Sequence, residues 1–195
     1  MKSLYQINKH MKDFYLKLIL EGADITIHEY ERKNSSFDVP DEESVRNNLA
    51  DYHRAVKEGK LLKRIKIDDY ALLLYKMDSK SYDGFILYGN EVVGSVLSTN
   101  RGYVKNFPQI YFGYVLKAHQ GRGLNTKLRQ LLIDTLGGIV GDLNISDGAI
   151  AVFKKLGAAN NIYLYTSDRK IVPFNDQLGE KDKGALIVVS KEPLI

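Results

Sequence analysis

One stretch constrains this chain more than any other: Gln109 to Leu136, reading QIYFGYVLKAHQGRGLNTKLRQLLIDTL. Ile110 to Leu116 is an apolar, aromatic and β-branched run, which is strand chemistry. A short turn then carries Gln120-Gly121-Arg122-Gly123. Beyond it Leu124, Leu128, Leu131, Leu132 and Leu136 recur at helical spacing, with Lys127, Arg129, Gln130 and Asp134 between them. A strand, a basic glycine turn and a helix in succession form an anion cradle. The first helical N–H groups have no partner within the helix, and the helix dipole favours negative charge there. Gly121 and Gly123 let the backbone approach a phosphate with no Cβ in the way. The expectation is a pyrophosphate held at this turn.

The 195 residues suffice for one domain with a substantial core. The chain has no cysteine, which excludes disulfides, thiolate metal sites and thiol nucleophiles. His10, His28, His53 and His119 are scattered, so no local metal motif is read and no metal site is expected. Apolar runs such as Ala71–Tyr75 are too short to cross a bilayer. Lys9, His10, Lys12 and Asp13 interrupt any signal-peptide core. A soluble, cytoplasmic protein without membrane contact is expected. The net charge of +4 permits nucleotide or nucleic-acid binding without demanding it.

Along the chain, Leu4–Leu20 reads as a helix and Asp24–Tyr30 as a strand. Asp41-Glu42-Glu43 starts a second helix, with Val45, Leu49, Tyr52 and Val56 as its apolar face and its end near Gly59. Lys57, Lys60, Lys63, Arg64 and Lys66 read as a solvated helix end and strand, the alternative being a phosphate or nucleic-acid contact strip. Tyr70–Met77 is a strand. Phe85–Tyr88 and Glu91–Thr99 flank the hairpin turn Gly89-Asn90. Ile139–Leu143 reads as a short strand and Ser146 or Asp147 as the cap of a helix through Leu156. Asn161–Thr166 and Ala185–Ser190 are strands, with a polar loop from Ser167 to Lys183 between them. The order describes a mixed sheet with helices packed on it, an α/β (α+β) class.

Three pieces of this order resemble the GNAT superfamily of acyl-coenzyme A-dependent N-acyltransferases. GFILYGNEVVGSVLS is similar to the family's second and third strands, with Val93-Gly94 as the familiar pair. YVLKAHQGRGLNTKLRQLL resembles the cofactor motif, with Gln120, Gly123 and Asn125 at its defining positions. SDGAIAVFKKLGA resembles the helix that usually reads Asn-x-x-Ala-x-x-Leu-Tyr-x-x-Leu-Gly-Phe. The resemblance implies a mostly antiparallel mixed sheet with helices on both faces. It also implies a splayed strand pair forming the cofactor cleft. It casts residues 1–195 as a single domain, with 1–80 a divergent N-terminal part and 84–195 the recognisable core.

The same resemblance implies that the chain moves an acetyl or other acyl group from coenzyme A to a primary amine by direct attack. Val115 and Leu116 would pair with the pantetheine arm. Gln120, Gly121, Arg122, Gly123, Leu124 and Asn125 would hold the pyrophosphate, and Ser146 would touch the arm. Asn125 stands where the family has Gly or Ala, and Phe153 where many relatives have the tyrosine that protonates the thiolate. Tyr163, Tyr165 and Tyr114 are substitutes, Tyr163 the leading one, and Asp142 is the nearest acidic group for the amine's proton. The alternatives are a non-catalytic binding or structural protein of this fold, alone, as a homodimer or in a larger assembly, and an acyltransferase acting on aminoacyl-tRNA.

Overall fold

The computed structural model describes residues 42–142, 147–175 and 185–195. They lie within one unit, Val39–Ile195. The expected Leu4–Leu20 helix, the Asp24–Tyr30 strand and Ser146 fall outside the described residues.

Helix α1 (Glu42–Glu58) leads into the strands β1 (Lys60–Ile67), β2 (Tyr70–Lys76), β3 (Ser81–Tyr88) and β4 (Glu91–Thr99). These four form an antiparallel meander, with Gly89-Asn90 closing the β3–β4 hairpin. Strand β5 (Gln109–Val115) adds antiparallel to β4. Helix α2 (Leu124–Leu136) then crosses over to β6 (Gly138–Val140), which lies parallel to β5. Helix α3 (Asp147–Gly157) and strands β7 (Asn161–Tyr165), β8 (Ile171–Pro173) and β9 (Leu186–Ser190) complete the described elements. The sheet order is β1-β2-β3-β4-β5-β6-β9-β7-β8.

Alternation along the strands divides the core between the two faces of the sheet. Leu72, Leu74, Ile86, Val93 and Val96 meet Leu124, Leu128, Leu131 and Leu132 of α2 and Phe153 and Leu156 of α3. Leu128, Leu132 and Phe153 are essentially fully buried, each contributing roughly 1.5–3 kcal/mol by removal from water. On the opposite face Leu73, Tyr75, Phe85, Leu87 and Leu97 pack with Tyr52 and Ala55 of α1. Helices therefore cover both faces, as expected. At the far end Tyr163, Val140, Leu186 and Val188 pack with Val104 and Phe107.

Three sequence expectations shift. The apolar face of α1 turns on Tyr52 and Ala55, which pack on β2, β3 and β4, whereas Leu49 and Val56 are exposed. The strand expected over Ile139–Leu143 stops at Val140. The loop after Ser167 contains the short strand β8, which Thr166 anchors by a hydrogen bond from its backbone N–H to the Lys170 carbonyl, 2.9 Å.

Gly94, of the Val93-Gly94 pair, sits where no side chain fits. A Cβ there would meet the Tyr114 carbonyl oxygen at 2.8 Å and the Ile86 Cδ1 at 2.9 Å. Backbone cannot yield as a flexible side chain can, so overpacking follows. Gly94→Ala is expected to lower stability by about 1–3 kcal/mol in urea unfolding. An unchanged midpoint would show that β4 and β5 can separate here at no cost.

Candidate functional site

The sheet opens between β5 and β6. A single pair, Gln109 with Val140, joins the two strands. The Val140 N–H still donates to the Pro108 carbonyl (2.9 Å), but the Gly141 N–H donates instead to Ile187 of β9 (2.7 Å). From Ile110 onwards β5 has a ladder partner only on its β4 side. That ladder carries a bulge: Phe112 faces Leu97 and Ile110 faces Ser98, so Tyr111 is the extra residue. A bulge sharpens the twist and re-aims neighbouring groups, and this one lies where the β5–β6 pairing has ended.

At the C-terminal end of β5 the Leu116 N–H donates to the Val93 carbonyl (2.8 Å) and so belongs to the β4 ladder. The Val115 carbonyl points to the other side, where it accepts the Gln120 side-chain amide (2.8 Å). Gln120 thus ties the turn to the open strand edge. A short 3-10 turn, Lys117–His119, leads into Gly121 and Gly123, with φ of +76° and +69°. Nothing lies within 4 Å of where their Cβ atoms would be, and residues 120–123 are exposed. Gly123 caps α2 without any side-chain hydrogen bond, leaving the first helical amides open to an anion.

Around the turn, the Tyr70 hydroxyl and His119 Nδ1 share a hydrogen bond (2.9 Å), and the Arg122 guanidinium lies 5.9 Å from the Tyr70 ring centre. With Asp68, Asp69, Tyr88 and Lys127 they line a cavity of about 310 Å³. Leu124 is buried and anchors the helix start. Asn125 turns inward, where its Oδ1 accepts the Arg129 Nε–H at 2.9 Å.

Asp142 lies at the point where the strands part: the Gln109 side-chain amide donates to its Oδ1 (3.3 Å) and to the Gly141 carbonyl (3.4 Å). Tyr163 is buried in the far cluster, and its hydroxyl oxygen accepts the Leu194 N–H at 3.2 Å. Phe153 is buried, with the Arg129 guanidinium 5.0 Å from its ring centre. Burial draws the Arg129 pKa down to about 10.

Sequence reading missed a second set on the α1 face. Asp83, on the same side of β3 as Phe85 and Leu87, is 2% exposed and lies 3.5 Å from Arg54, which also meets Asp51 at 3.2 Å. Burial pushes the Asp83 pKa up to about 6, and Arg54 offsets part of the rise. Burial, then the nearby Asp83 and Asp51 charges, lifts the Tyr111 pKa to about 12. Burial and Asp51 also raise that of Tyr114, whose hydroxyl has no partner among the described residues. The readable signal was a carboxylate at a core-facing position, Asp83 with Phe85 and Leu87 at period two.

The acetyltransferase (GNAT) family model matches residues 43–158, more than half of the chain. The chain belongs to the GNAT acetyltransferase family. In this GNAT chain the β5–β6 pair is splayed and the turn before α2 is open.

No curated protein sequence matches it. Solved structures that resemble it include diaminobutyrate acetyltransferase from Paenibacillus lautus, in complex with L-2,4-diaminobutyric acid and coenzyme A. The identity is 13%, covering 56% of this chain and 69% of that one, with a TM-score of 0.39. The ribosomal-protein-S18-alanine N-acetyltransferase from Escherichia coli resembles it at 13% identity, with 57% and 68% covered and a TM-score of 0.37. GCN5 from Tetrahymena does so at 18% identity, with 61% and 73% covered and a TM-score of 0.38. Among the described residues no helix is long and apolar enough to cross a membrane.

The raised Asp83 pKa has a definite sign. Between its unfolded value near 3.8 and its folded value near 6 the folded state binds more protons, so stability falls as pH rises through this window. The loss is on the order of 2–3 kcal/mol by pH 7. Asp83→Asn is expected to flatten that decline in urea unfolding at pH 4 and pH 7. An equal decline in the variant would place the proton uptake elsewhere.

Proposed function

We propose that this GNAT chain is an N-acyltransferase, moving an acyl group from coenzyme A to a primary amine by direct attack. The observation that carries the reading is the gap that opens beyond the single Gln109–Val140 pair and runs to the open Gly121–Gly123 turn. An extended pantetheine arm suits an unpaired strand edge, as any added strand would. The Val115 edge of β5 and the Gln120 amide line that path, with Ser146 as a further contact. Gly121, Arg122 and Gly123, with the first amides of α2 at Leu124 and Asn125, suit a pyrophosphate. Arg122 and Lys127 add positive charge beside it.

Bound acyl-coenzyme A supplies an activated thioester: the amine nitrogen bonds to the acyl carbon, the C–S bond breaks, and sulfur keeps the electron pair. The chain's part is to orient the two reactants and to manage the amine's proton. Asp142, tethered by Gln109 where the strands part, is the group proposed to take that proton. Tyr163 is the residue proposed to return one to sulfur; its oxygen accepts the Leu194 N–H within the far cluster. Asp51 and Asp83 give the α1 face a negative field suited to an approaching ammonium. A cytoplasmic setting, where coenzyme A thioesters are made, fits the reading.

A second reading has its own observation. Phe153 is buried without a hydroxyl, and Gln109 rather than a carboxylate stands at the head of β5. A GNAT-fold protein that holds coenzyme A without transferring the acyl group would carry these residues. The tRNA-directed variant rests on the exposed basic strand β1, and salt-independent behaviour in an RNA retention assay would dispose of it.

Isothermal titration with acetyl-coenzyme A is expected to show binding that Gly123→Ala weakens at least tenfold, since a Cβ would intrude on the phosphate approach. The left-handed φ adds a strain of about 1–2 kcal/mol to the fold, read separately as a fall in Tm. Asp142→Asn is expected to keep cofactor affinity and slow amine acetylation roughly 10²-fold. No binding by the unaltered chain would end the acyltransferase reading, and binding without transfer to any amine would favour the second.

A further inference from the structure

Arg129 is the one fully buried cation among the described residues, at 4% exposure on the sheet side of α2. Its Nε–H is satisfied by Asn125, and its planar group lies over the Phe153 ring. Its Nη1 is buried with no hydrogen-bond partner. No carboxylate among the described residues comes within ion-pair distance of it. An apolar residue at this place in the helix would pack against the same neighbours without the desolvation that a charge incurs. A buried polar group left unpaired in a native fold calls for an explanation, and a missing ligand is one.

The guanidinium lies against the part of β5 that has no β6 partner. Its Nη2 lies 3.1 Å from where a Cβ on Gly113 would stand. Gly113 is exposed, and it belongs to the part of β5 that has no β6 partner. Any larger residue at 113 would press against the cation, so glycine leaves it facing the cleft through bare backbone. Asn125 and Phe153 shape the remaining sides: one holds Nε, and the other offers an aromatic face but no hydroxyl that could occupy Nη1. What remains unpartnered is Nη1, beside Nη2; together they are the pair of donors that a carboxylate matches with its two oxygens.

We infer that the Arg129 guanidinium is an anion receptor at the acyl end of the β5–β6 gap, and that the preferred acyl donor carries a carboxylate on its acyl chain. The inference rests on the acyl-transfer reading above and names its donor class. The phosphates have their own seat at the Gly121–Gly123 turn, and the cation beside Gly113 lies further from that turn along the unpaired strand edge. The carboxylate is a spectator: it fixes the chain while the amine displaces sulfur, and it gains or loses no bond.

The test is isothermal titration of the full chain with coenzyme A, acetyl-coenzyme A, malonyl-coenzyme A and succinyl-coenzyme A. The same titrations are run on Arg129→Lys and Arg129→Met, each checked for folding by circular dichroism. At least one of the two dicarboxylic thioesters is expected to bind the unaltered chain tenfold or more tightly than the acetyl thioester. Arg129→Met should erase that preference while leaving coenzyme A affinity within about threefold, and Arg129→Lys should retain part of it. Equal affinities for the acetyl and dicarboxylic thioesters in the unaltered chain overturn the inference, even if neither variant folds. So does an Arg129→Met variant that weakens coenzyme A and every thioester alike, which would assign the guanidinium to the pyrophosphate. Absence of binding by coenzyme A and all thioesters would overturn the acyl-transfer reading and this inference together.

Discussion

The site depends on one hydrogen-bonded contact that is not continued. Gln109 and Val140 pair, and the next residues of the two strands take different partners: Ile110 stays with β4, and Gly141 turns to β9. Parallel neighbours would normally extend their ladder, since unpaired backbone groups are costly once water is excluded. Here the bulge at Tyr111 follows the one pair, and the Gly141 N–H is taken by the Ile187 carbonyl. An exposed strand edge inside a sheet then results, bounded by α2 and α3 on one face. The Gln120 amide covers part of it by donating to the Val115 carbonyl. That contact must yield or be shared when another chain-like ligand takes the edge.

Charge is divided across the sheet in the same region. The α2 and α3 side presents a buried guanidinium over an aromatic ring, and the α1 side presents two carboxylates and two tyrosines held neutral by burial. Such a division suits a reaction that joins an electrophile held on one side to a basic amine arriving from the other. Asp83 is the more deeply placed acid on the α1 side, at 2% exposure, and that burial raises its pKa. Asp142 sits closer to the seam itself through its bond with Gln109.

Much of this was legible in the residues. The helix α2 begins at Leu124 and ends at Leu136, as its leucine spacing required, and Gly137 closes it in the left-handed conformation. The hairpin at Gly89-Asn90 and the turn glycines followed from local chemistry alone. Tertiary placement was not legible. Nothing in the run Ile139–Leu143 says that pairing with β5 will stop after one residue, because that depends on which neighbour takes the Gly141 N–H. Arg129 read as a polar residue between leucines, since a period of 3.6 leaves it near the boundary of the apolar face. Its burial arises only when Phe153, far along the chain, closes over it. Asn125 likewise read as a group facing a phosphate, and the Arg129 side chain claims it instead. The short β8 escaped because the loop around it is polar and it contributes only three residues.

The central claim is that the gap beyond Gln109 and Val140 receives the arm of coenzyme A. A crystal structure of the chain with coenzyme A tests it most directly. The account predicts the pantetheine arm lying along β5 between Gly113 and Val115, with the pyrophosphate against the amides of residues 121–125. An arm lying anywhere else, or a β5–β6 pair zipped shut in the presence of saturating ligand, would contradict it.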